Sequence, residues 1–163
     1  MQRRSLLSLT TLPAIAPFAL LAPAAVHAHH GWSGFDQERP IYLEGRVKSV
    51  AWQNPHAELK LELAASMTVP ASLAQRTLPA QTAPVDGKAL MARAVVPTRR
   101  DRVWEIELAP LSRMQAWKVE PLKVGDAVSL LGFTLTKEQG DAVLRAEYLF
   151  VGDKAYGLRS SPV

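Results

Sequence analysis

Residues 41–63, IYLEGRVKSVAWQNPHAELKLEL, decide the fold class of this chain. Their second half alternates without a break, with Leu59, Leu61 and Leu63 on one face and Glu58, Lys60 and Glu62 on the other. Side chains of an extended strand point alternately to its two sides, so this pattern is that of a half-buried strand over residues 57–63. The first half, residues 41–52, alternates only in part, and Gly45 is expected to mark a bulge or a sharp bend there. Between the halves lies Gln53-Asn54-Pro55, a turn signal, because Asn favours turns and Pro cannot continue a strand ladder. The whole stretch therefore reads as two antiparallel strands joined by a tight turn.

The same reading extends outward. Residues 103–108 alternate again, residues 143–151 set Leu144, Ala146, Tyr148 and Phe150 against Arg145 and Glu147, and residues 127–135 are apolar on both faces, with Gly132 as a bend. A short helix is expected over residues 111–117. Residues 64–102 hold Pro70, Pro79, Pro84 and Pro97 with many alanines and little periodicity, and are expected to be a long, mobile Pro/Ala-rich insertion. Residues 153–163 are expected to be a loose tail. Five strands with a helix between the third and fourth predict an all-β fold, a small five-stranded oligonucleotide/oligosaccharide-binding-like barrel. It would span residues 41–152, and closure removes the sheet edges that one small sheet would leave open.

Residues 1–28 have the three parts of an export signal: Arg3 and Arg4, an apolar run, and Val26-His27-Ala28 as the exit. Cleavage after Ala28 or after Ala24 fits, and Arg3-Arg4 leaves both the general and the twin-arginine routes open. Pro13, Pro17 and Pro23 interrupt the run, so no permanent membrane anchor is expected, and the expected location is the periplasm. Without its two leader arginines the chain keeps 17 basic against 15 acidic residues, and no basic stripe suggests a nucleic-acid partner. Arg99-Arg100-Asp101-Arg102 reads as a solvated loop. With no cysteine, disulfides and thiolate chemistry are excluded.

Three of the four histidines are the candidate chemistry. Cleavage after Ala28 would leave His29 as the first residue of an arm spanning residues 29–40, followed by His30. A free amine, two imidazoles and the amide between them form a nitrogen-rich chelate, the donor set that copper(II) prefers. Cleavage after Ala24 would make a different chelate through His27. His56, just after the Asn-Pro turn, is either a third metal ligand, if the arm folds back over the turn, or a turn histidine bonded to backbone. Asp36 is a candidate outer partner for a ligand histidine. Trp52 and Asn54 form a candidate ligand face, although tryptophans are more often core. No nucleophile elbow, phosphate loop or His-Glu-x-x-His pair is present, so the chain reads as a binding protein rather than an enzyme.

His29-His30, Phe35-Asp36, Leu43-Glu44-Gly45-Arg46-Val47 and Trp52-Gln53-Asn54-Pro55-His56 together resemble the DUF6152 family, small exported bacterial proteins of unknown function. Trp104-Glu105-Ile106-Glu107 and Leu122-Lys123-Val124-Gly125-Asp126 resemble it as well, whereas Ala109-Pro110-Leu111-Ser112 departs from its usual turn. The resemblance implies an exported β-barrel and supplies no activity. The expectation is a periplasmic copper-binding protein with ligands His29, His30 and His56. The alternatives are a metal-free barrel that binds a glycan, peptide or partner protein, and an accessory subunit that docks through residues 64–102.

Overall fold

The computed structural model describes residues 31–163. Strands β1 (Ile41–Trp52), β2 (Ala57–Leu63), β3 (Val103–Glu107), β4 (Ala127–Thr134), β5 (Val143–Val151) and β6 (Lys154–Gly157) form one sheet in the order β3-β2-β1-β4-β5-β6. A parallel pairing of β3 with β5, Ile106 opposite Leu144, closes the first five strands into a barrel. All other pairings are antiparallel. The expected five-stranded barrel is therefore present, with the expected short helix, α2 (Leu111–Ala116), between β3 and β4.

The barrel interior holds Ile41, Leu43, Leu61, Trp104, Ile106, Leu130, Leu144 and Leu149, all fully buried, and Met114 of α2 packs onto them. Burying one such side chain stabilises by about 1.5–3 kcal/mol, so this cluster dominates the fold. Two bulges decide which residues reach it. In β1 the register slips at Lys48, between Val47 and Ser49, so Val50 and Trp52 turn toward the core. The bulge expected at Gly45 thus lies three residues on. Gly45 has another role: a Cβ there would stand 2.1 Å from the carbonyl oxygen of Glu62. In β5 the register slips at Glu147, where Tyr148 faces Leu131 and Ala146 faces Gly132. An extra residue exchanges the two faces of a strand. Leu144, Ala146 and Leu149 consequently point inward and Tyr148 and Phe150 outward, which corrects the single-face alternation expected for this strand.

A second apolar cluster lies outside the barrel. Tyr42, Leu131, Phe133, Tyr148 and Phe150 are covered there by Trp32 and Phe35 of the arm and by Leu73, Leu78, Leu90 and Met91. The last four belong to residues 64–102, so the expectation of a mobile insertion is corrected. That segment carries a 3-10 turn at Leu73–Gln75 and helix α1 (Gly87–Arg93), whose first turn Asp86 caps by accepting the Ala89 N–H at 3.0 Å. Val95 then bridges to the start of β1 through Tyr42 N–H and the Pro40 carbonyl. The physical reason is β4: a strand apolar on both faces must be covered on both.

The tail is likewise ordered. Gly152, at φ 56°, and Asp153 make a two-residue turn that brings β6 back along β5. Tyr156 and Leu158 are buried, and Pro162 bridges to Gln81. Among the described residues no helix is long and apolar enough to cross a membrane.

Candidate functional site

The turn that carries His56 lies between β1 and β2. Asn54 is exposed, the Asn54–Pro55 peptide is cis, and Trp52 is half-buried against the rim of the core. Ala57 is fully buried. Its N–H donates to the Ala109 carbonyl and its carbonyl accepts from the Leu108 N–H, each at 2.9 Å. Glu58 pairs with Glu107 in the ladder. His56 precedes β2 and stands two residues before Glu58. His56 is half-buried overall, and its Nδ1 atom is buried.

Glu107 is only 7% exposed, and its Oε2 lies 3.4 Å from Nη1 of Arg145, its parallel neighbour on β5. The Arg145 guanidinium also stands 4.8 Å from the centre of the Trp32 ring, with Phe35 at 5.7 Å. Arg159 lies over the same indole at 3.6 Å, and Phe133 meets it edge-on at 6.3 Å. Such cation–π contacts contribute about 0.5–2 kcal/mol each, more when water is excluded. The arm is therefore fixed at Trp32 to a guanidinium that also holds Glu107. Asp36 serves its own turn: its carboxylate accepts the Glu38 N–H at 3.2 Å and its N–H donates to the Thr134 carbonyl.

Two further carboxylates are buried. Glu147 is wholly buried at the β5 bulge. Arg159 donates to it from Nε at 2.7 Å and approaches it with Nη2 at 2.7 Å, and Gln81 donates at 3.2 Å. Arg159 also donates to Gln37, and Gln81 accepts the Ser160 N–H, so one network joins the arm, residues 64–102, β5 and the tail. Burial pushes the Glu147 carboxyl up, and it outweighs the charge and hydrogen bonds of Arg159, the Gln81 bond and the charge of Arg113. At Glu138 burial also pushes up, but hydrogen bonds from Arg39, the Thr98 and Arg99 N–H groups and the Thr98 hydroxyl prevail and hold it below the usual carboxylate range. Arg99, read as part of a solvated loop, instead donates to the carbonyls of Glu138, Gly140 and Asp141. These two networks are structural, since each ties loops to the barrel. All three carboxylates are buried because the arm, residues 64–102 and the tail cover the outer face. The signal for that cover was the two-sided apolarity of β4.

Residues 1–28, expected to be an export signal, and His29 and His30 lie outside the described residues. Among the described residues no three His, Cys, Asp or Glu side chains are grouped closely enough to hold a metal. The structure thus places His56, Trp52 and Asn54 at one turn, and pairs Glu107 with Glu58, two residues beyond His56.

No curated protein and no solved structure matches the chain. Residues 18–71 do match a family model, and this stretch holds the His-His pair, β1, the Asn-Pro-His turn and β2. The family matched is DUF6152, a family of unknown function, as the motifs of that stretch indicate.

Proposed function

We propose that this protein is an exported, periplasmic binding protein for a transition metal, with copper(II) as the best-suited ion. In this reading His29 supplies its amine and imidazole, and His30 and His56 supply further nitrogen. The observation that carries it is the position of Trp32 under Arg145, because Arg145 is the ion-pair partner of Glu107, which pairs with Glu58, two residues after His56. Trp32 follows His29 by three residues, a reach of up to roughly 10 Å in extended chain. From Arg145 across Glu107 to Glu58 is two strand spacings, also roughly 10 Å. Arg145, which holds Trp32, thus stands two strand spacings from Glu58, two residues after His56, and this supports the reading. The barrel serves as a rigid scaffold, and the metal would be delivered, buffered or sensed.

The test begins with mass spectrometry of the exported protein to fix its first residue, followed by copper titration at neutral pH. One tightly bound copper on a chain starting at His29, weakened at least tenfold by His56→Ala, is the expected result. A terminal amine has a pKa of about 8, so affinity should fall as pH drops and the amine holds its proton. A chain that starts elsewhere, or affinity indifferent to His56→Ala, overturns the reading. One observation favours the metal-free alternative, a module for a glycan, peptide or partner protein. A shallow hollow of about 240 Å³, lined by Ser49, Val50, Glu58, Lys60 and Glu105, lies beside the Trp52–Asn54 turn. Copper binding unaffected by His56→Ala would point there.

A further inference from the structure

We propose that the cleft enclosed by residues 74–88 is a binding site for a small carboxylate, with the Tyr148 hydroxyl as hydrogen-bond donor at its floor and Lys88 as the cation at its mouth. The cleft measures about 770 Å³, within the roughly 300–1,000 Å³ of small-molecule sites. Its walls come from residues 74–88, and its floor is Tyr148 of β5, just 2% exposed. The hydroxyl end of Tyr148 lies among those walls. Gln81 donates to its oxygen at 3.3 Å, and a Cβ on Gly87 would stand 2.6 Å from that oxygen. A side chain at position 87 would crowd the hydroxyl and fill that part of the cleft, and glycine leaves the space. None of these residues belongs to the turn between β1 and β2, so the inference stands apart from the metal reading.

The surrounding hydrogen bonds fix the part that Tyr148 plays. The backbone N–H of Ser160 can only donate, and it donates to Oε1 of Gln81 at 3.1 Å. The amide nitrogen of Gln81 therefore faces Glu147, at 3.2 Å, and Tyr148. That nitrogen has two hydrogens and no acceptor, so the Tyr148 oxygen accepts and its own proton is left over. Among the described residues this proton has no acceptor. Buried hydroxyls are almost always paired, so a donor held at the floor of a cleft calls for an acceptor from outside. Burial above all pushes the Tyr148 hydroxyl up, so it holds its proton. The charges choose among acceptors. The walls carry two cations, Arg76 and Lys88, and one carboxylate, Asp86, which already accepts the Ala89 N–H. A single positive charge is in excess, which suits a monoanionic carboxylate better than a doubly charged phosphate. Arg76 lies over Phe150 and donates to the Gly152 carbonyl, so the exposed Lys88 is the cation that can reach for a ligand.

The experiment is a nuclear magnetic resonance titration of the isotope-labelled exported protein, following the Gly87 and Lys88 amides and the Gln81 side-chain amide. The probes are lactate, benzoate, inorganic phosphate and glucose. The expected result is saturable shifts confined to the cleft with lactate or benzoate, weaker ones with phosphate and none with glucose. Tyr148→Phe keeps the ring and should weaken carboxylate binding about tenfold or more. Lys88→Gln should weaken it roughly two- to fivefold and reduce its dependence on salt. Tighter binding of glucose or phosphate overturns the carboxylate assignment. No saturable shift with any probe, or an affinity unaltered by Tyr148→Phe, overturns the site. Should Tyr148→Phe fail to fold, the exposed Lys88 decides: Lys88→Glu should abolish saturation, and an unchanged affinity there overturns the proposal.

Discussion

Truncating Glu147 to alanine should loosen three distant segments at once. The wild-type carboxylate is wholly buried and takes both the Arg159 guanidinium, at 2.7 Å, and the Gln81 amide, at 3.2 Å. Removing one partner of a buried ion pair typically costs about 3–5 kcal/mol, because the other charge stays behind uncompensated. Arg159 keeps some relief: its side chain is 22% exposed, it still donates to Gln37, and it still lies over Trp32. The ionised carboxylate is itself disfavoured by burial, which takes a little more off the loss. The lower end, about 3 kcal/mol, is therefore expected, or roughly 10 °C in Tm for a chain of this size. Urea and thermal unfolding measure the loss. Adding Arg159→Met should cost far less than the sum of the two single changes, with a coupling of about 1–3 kcal/mol. Hydrogen exchange supplies the decisive readout: amides near Gln81, in the arm near Gln37 and at residues 158–160 should lose protection together. A loss under about 1 kcal/mol, or exchange that rises only along β5, would refute the view that this carboxylate ties the cover to the barrel.

The Glu138 site predicts acid sensitivity. Its pKa is depressed in the fold, so its contribution is present above the unfolded value of about 4.3 and is lost as pH falls through the folded value. Denaturation midpoints measured from neutral pH downward should show Glu138→Gln less stable at pH 7, with the gap to the unaltered chain closing in acid; a gap independent of pH contradicts the assignment. Gly132→Ala should destabilise by about 1–3 kcal/mol in urea, because a Cβ there would stand 2.3 Å from the Arg145 carbonyl oxygen and would part β4 from β5. An unchanged midpoint would mean that the two strands can separate freely at that bulge.

The candidate site was legible in the sequence to different depths. His56, Trp52 and Asn54 could be found because a turn signal places its neighbours locally. The burial of Glu107 could not be read there, because its neighbours Glu105 and Ile106 describe a solvated outer face equally well. Only the closure of β3 onto β5 puts Arg145 beside it, and only the arm covers that pair. The β6 hairpin did carry a signal, a Gly-Asp pair between apolar runs, that a reading of the tail as loose passed over.

What the sequence by itself determined is local and periodic: five strands, the turn between β1 and β2, and the helix before β4. Alternation and turn chemistry act over a few residues, so a single chain reveals them. The tertiary structure alone decided which carboxylates are buried, where the strand faces exchange, and which guanidinium joins the arm to Glu107. Those outcomes depend on a bulge at Glu147 and on segments far apart in the chain meeting across the barrel wall. A one-residue slip or a long-range contact leaves no mark on local periodicity, because its energy is realised only when the barrel closes.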